Sequence, residues 1–120
     1  MLLNDFYTIL TSSKEEDVVT ATVEFNSSHA IFKGHFPQTP VVPGVCQTQM
    51  LSEVLNTFLE KKVQLKKATN IKFLNFVSPN HTTKLNLHIK IDKVENEVLT
   101  VTAHYAWEQL TFFKFKGEFC

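Results

Sequence analysis

The chain has 120 residues, 43% of them hydrophobic and eleven of them phenylalanine, which supports one folded domain over residues 1–120 and excludes a disordered chain. The formal net charge is zero, so nothing pulls the whole molecule toward nucleic acid or an anionic membrane. All twelve basic residues are lysine, which argues against a site built on bidentate arginine clamps.

Phe6 to Ser12 is a short apolar and β-branched run, and Lys14 to Asp17 reads as a charged turn. From Asp17 to Phe25 the residues alternate, with Val19, Ala21, Val23 and Phe25 on one face. The two runs form a predicted hairpin. Next comes the densest local signal, Ile31 to Leu55, which holds three of the four prolines and two of the three glycines. It opens as an irregular loop carrying His35 and passes at Pro43-Gly44 into a predicted helix to about Lys61. Leu51, Val54, Leu55 and Phe58 recur at helical spacing, and Gln49, Glu53, Asn56 and Glu60 make a polar stripe. Lys61 to Lys72 holds five lysines and no acid, and a strand begins inside it and runs to about Phe76. Three further strands follow, Thr83 to Val94, Val98 to Trp107 and Leu110 to Phe119, with the alternation of a meander covered on one face. The predicted class is α+β, six antiparallel strands with one long helix on one face of the sheet.

Cys46 and Cys120 have no metal-ligand spacing and form no disulfide framework, so reduced thiols in a cytoplasmic protein are expected, with no metal and no cofactor. No apolar run approaches the ~20 residues of a membrane span, and the N-terminus lacks a basic leader.

Gly34-His35-Phe36-Pro37, Pro40 and Pro43-Gly44-Val45, followed by the helix, resemble the active-site segment of the FabZ- and FabA-type β-hydroxyacyl-acyl-carrier-protein dehydratases. Ile71 to Asn80 resembles the strand and proline turn of the same family. The resemblance implies a hot-dog fold, in which a curled six-stranded antiparallel sheet wraps one central helix. It implies a homodimer or a higher assembly, a dimer of dimers or a trimer of dimers. It implies an acyl-carrier-protein or CoA thioester as substrate, dehydrated from the 3-hydroxyacyl to the trans-2-enoyl form. His35 matches the catalytic histidine, whose ordinary pKa of ~6.5 suits a base at neutral pH. Gly44, Val45 and Cys46 match the amides that hold the thioester carbonyl, where a helix start offers free N–H groups and a positive dipole end.

Gln49 stands where the family carries Glu or Asp, and an amide cannot donate and take back a proton at neutral pH. Three readings follow from that departure. His35 shuttles both protons while Gln49 orients the hydroxyl; Glu53, one turn on, serves as an auxiliary acid through water; or the chain binds acyl thioesters for other ends. The alternatives to a dehydratase are a thioesterase and a non-catalytic partner subunit. Lys61, Lys62, Lys66 and Lys67 are candidates for docking an acidic carrier protein.

Overall fold

The structure is a computed structural model and describes residues 1–34 and 40–120. Its elements are β1 (Tyr7–Glu15), β2 (Val18–Phe25), α1 (Ala30–Gly34), α2 (Gly44–Asn56), β3 (Leu65–Phe73), β4 (Lys84–Glu95), β5 (Val98–Trp107) and β6 (Leu110–Phe119). The strands form one six-stranded sheet in the order β1-β2-β4-β5-β6-β3, and every named pair is antiparallel. This is the hot-dog arrangement, with α2 against the covered face of the sheet.

Period-two alternation sets that face. Val19, Ala21 and Val23 on β2 pair with Ile89, Leu87 and Leu85 on β4. Leu87, Ile89 and Ile91 pair in turn with Tyr105, Ala103 and Val101 on β5. All of these side chains are buried. α2 completes the core with Met50, Leu51, Val54 and Leu55, each fully buried. Three contacts seat the helix on the sheet. Tyr105 on β5 donates its hydroxyl to the Gln47 carbonyl at 2.7 Å. Tyr7 on β1 donates to Glu53 at 3.0 Å. The Phe73 ring on β3 lies over Gly44, where a Cβ would stand 2.7 Å from it.

β1 runs on to Glu15 through residues read as turn, and β3 ends at Phe73, short of Phe76; two larger differences concern the helices. α2 stops at Asn56 instead of Lys61, because the Asn56 amide turns to the strand side. It donates to the Val63 carbonyl at 3.0 Å and accepts from the Val63 amide at 2.7 Å, while Thr57 caps with its hydroxyl on the Val54 carbonyl. The five-residue α1, inside the stretch read as loop, is the other. The tight turn after β4 has Asn96 and Glu97 both at positive φ, the backbone a two-residue hairpin connection requires.

Candidate functional site

Pro43 keeps an extended backbone and its carbonyl starts α2. That carbonyl accepts from the Cys46 amide at 3.0 Å and from the Gln47 amide at 3.1 Å. The Cys46 N–H is therefore already taken, and the Gly44 and Val45 amides have no partner among the described residues. Val45 is 76% exposed. Gly44 lies under the Phe73 ring, which would have to shift to admit a side chain there. Among the described residues the helix start thus leaves two donors unpartnered, at its positive dipole end and beside an aromatic ring.

One turn further on, Gln49 is exposed and its amide nitrogen donates to Glu53 Oε2 at 3.0 Å. Glu53, read from the sequence as part of a polar stripe, is only 4% exposed. Its carboxylate is enclosed by donors. Leu2 N–H reaches Oε2 at 2.9 Å, Leu3 N–H reaches Oε1 at 2.8 Å and the Tyr7 hydroxyl reaches Oε1 at 3.0 Å. A buried carboxylate is tolerable only when hydrogen-bonded in this way. Burial, together with the Glu53 charge, pushes the Tyr7 hydroxyl far above its usual range, so it stays a neutral donor. Burial, reinforced by the same charge, also pushes the Cys46 thiol up. Cys46 is therefore a protonated core thiol and not a nucleophile.

His35, the expected base, lies outside the described residues, as does the rest of 35–39. The lysines divide. Lys61 pairs with Glu97 at 3.0 Å, and Lys62 donates to the Asn56 carbonyl at 3.3 Å. Lys66 and Lys67 lie exposed on β3, with Lys67 opposite Glu118 on β6. Sequence reasoning missed Tyr7, Phe73 and the amides of Leu2 and Leu3. A tyrosine opening a strand and two leucines before it carry no periodic signal toward a helix some fifty positions away.

The description ApeI-like dehydratase belongs to a family model that matches residues 11–111. The chain belongs to the ApeI-like dehydratase family. Among curated relatives of this ApeI-like chain, the 3-hydroxyacyl-(acyl-carrier-protein) dehydratase FabZ of Fusobacterium nucleatum subsp. nucleatum is 29% identical over 99 residues, covering 78% of this chain and 69% of the relative. The FabZ of Lactococcus lactis subsp. cremoris is 32% identical over 95 residues, covering 73% and 65%. The ApeI-like chain therefore spans about two thirds of the length of these relatives. Among solved structures, the dehydratase heterocomplex ApeI:P from Xenorhabdus doucetiae superposes with a TM-score of 0.78 at 22% identity, covering 93% of this chain and 96% of that one. A putative thioesterase from Ralstonia eutropha superposes at 0.66 with 13% identity, covering 94% and 83%. Both likenesses are likenesses of fold. No helix among the described residues is long and apolar enough to cross a membrane.

Proposed function

We propose that this chain is a dehydratase subunit acting on (3R)-3-hydroxyacyl thioesters of acyl carrier protein or CoA. The observation that carries the reading is the presence, on one helix, of Gly44 and Val45 amides without a partner among the described residues and of Gln49, whose amide nitrogen is held by Glu53. The amides hold the thioester carbonyl and stabilise the negative charge that forms on it. His35 takes the C2 proton. The C3–O bond then breaks, and the imidazolium returns that proton to the departing hydroxide as water. Gln49 orients the hydroxyl and transfers no proton. Glu53 stands behind it, with every described contact to its oxygens coming from a donor.

The assembly we propose is a dimer with the two sheets side by side. Its support is β3, an edge strand with no buried residue, flanked by exposed Phe73, Leu74 and Phe76. Lys66 and Lys67 on the same strand are the remaining candidates for contact with an acidic carrier, and the cytoplasm is the compartment this substrate implies.

Hydration of a crotonyl thioester, followed by loss of enoyl absorbance, tests the reading. Turnover should fall by at least ~100-fold in His35→Ala, the usual weight of a general base. Wild-type turnover no higher than that of His35→Ala overturns the dehydratase. Activity that appears only on mixing with a carboxylate-bearing dehydratase chain assigns this protein as the partner subunit. That second reading is favoured by one observation: the only acid on α2 is Glu53, which is buried. Release of free thiol without hydration assigns a thioesterase.

A further inference from the structure

We infer that Glu53 is a positioning residue that fixes which end of the Gln49 amide the site presents, and so sets a preference for a 3-hydroxyacyl over a 3-oxoacyl group; this rests on the proposed site. The argument is one of donors and acceptors. An ionised carboxylate only accepts hydrogen bonds. The Gln49 group facing it at 3.0 Å must therefore be the NH2 end. The amide is planar, so its Oε1 points away from Glu53, and it has no partner among the described residues. The site then offers an acceptor. A 3-hydroxyl can donate to it, whereas a 3-oxo oxygen sets acceptor against acceptor.

The fixing extends beyond the pair. Leu2 N–H, Leu3 N–H and the Tyr7 hydroxyl occupy the other lone pairs of Glu53. Two of these three are backbone donors that cannot rotate away. The carboxylate is thereby held at one orientation, and the strap before β1 is what holds it. The segment 1–7 is thus a remote part of the specificity device.

The test is binding, so that it does not depend on turnover. The probes are amide analogues of 3-hydroxybutyryl- and 3-oxobutyryl-pantetheine, in which NH replaces the thioester sulfur. Wild type should bind the hydroxy probe about tenfold tighter, the scale of one hydrogen bond made or opposed. In Glu53→Gln the new NH2 faces Gln49, which turns to accept from it and presents its own NH2 outward. The ratio should then fall to about one or invert. In Gln49→Ala, which leaves the strap untouched, the ratio should also fall to about one. The Gln49 side-chain NH2 protons should in addition shift downfield in wild type, and return in Glu53→Gln. Hydroxy and oxo probes bound equally by wild type, or a wild-type ratio retained in Gln49→Ala, overturns the inference while the site reading stands. Binding of neither probe overturns the site reading itself.

Discussion

A single substitution separates the roles proposed for Gln49 and Glu53. Gln49→Glu restores a carboxylate at the expected acid position, but it places that carboxylate 3.0 Å from Glu53 Oε2, where an amide donated before. Two carboxylates at that distance share one proton, which raises the folded pKa of the pair above the ~4.3 of an unfolded glutamate. The folded state then binds a proton more readily than the unfolded one. Stability is therefore retained below pH ~4.3 and lost as pH rises through the folded value. Urea unfolding at pH 4 and pH 7.5 should show the variant losing about 1–3 kcal/mol relative to wild type over that interval, with little difference at the acid end. The double variant Gln49→Glu/Glu53→Gln should recover much of the loss at pH 7.5 and raise dehydratase turnover. The position of Gln49 was legible in the sequence, because it follows from spacing along the helix after Pro43-Gly44. The burial of Glu53 was not. A glutamate on a polar stripe reads as solvated, and the strap of residues 1–7, distant in sequence, closes on it through the Leu2 and Leu3 amides.

At the scale of elements, the strands were legible wherever alternation was strict. β4, β5 and β6 lie where Leu85, Leu87, Ile89 and their neighbours place them, because a slip of one residue would turn every apolar side chain to water. β3 was less legible. It is an edge strand with no buried side chain, and its register against β6 shifts twice. The outer face of the sheet carries a feature that alternation marks only as polar. His88 and His104, opposite one another on β4 and β5, stack with ring centroids 4.9 Å apart. Lys114 on β6 lies opposite His104, and Lys72 on β3 lies opposite Lys114, while Thr20 on β2 lies opposite His88. Burial, then the charges of His88 and Lys114, hold the His104 pKa below its usual 6.5. The unfolded chain therefore takes up the proton first. The stability His104 allows is full above pH 6.5 and declines as pH falls through the folded value. His104→Asn should flatten the urea midpoint between pH 7 and pH 5 relative to wild type, and an unchanged slope would remove His104 as the cause.

Across the whole molecule the two sheet edges differ. β1 is followed inward by β2, and its N-terminal strap is locked to α2 through Glu53. β3 presents unpaired backbone on its outer side beside Phe73, 53% exposed, and Phe76, 85% exposed. An open edge with apolar flanks is the kind of surface that pairs with a second chain. Sedimentation should find a dimer for wild type, and Phe76→Lys should shift it toward monomer with helix and strand content unchanged by circular dichroism. A wild-type monomer at micromolar concentration would discard the side-by-side arrangement.

The roof of Phe73 over Gly44 also has a kinetic meaning. β4, β5 and β6 follow one another through short turns and close cheaply, whereas β3 joins the sheet only along β6, where even the pair nearest in sequence, Phe73 with Phe113, is forty positions apart. Loops that long close after the local hairpins have formed. The strand that covers the helix start is therefore set in place late, and a chain with its meander complete can still lack a finished corner at α2. Refolding followed by near-ultraviolet aromatic signals and by probe binding would separate the two events in time.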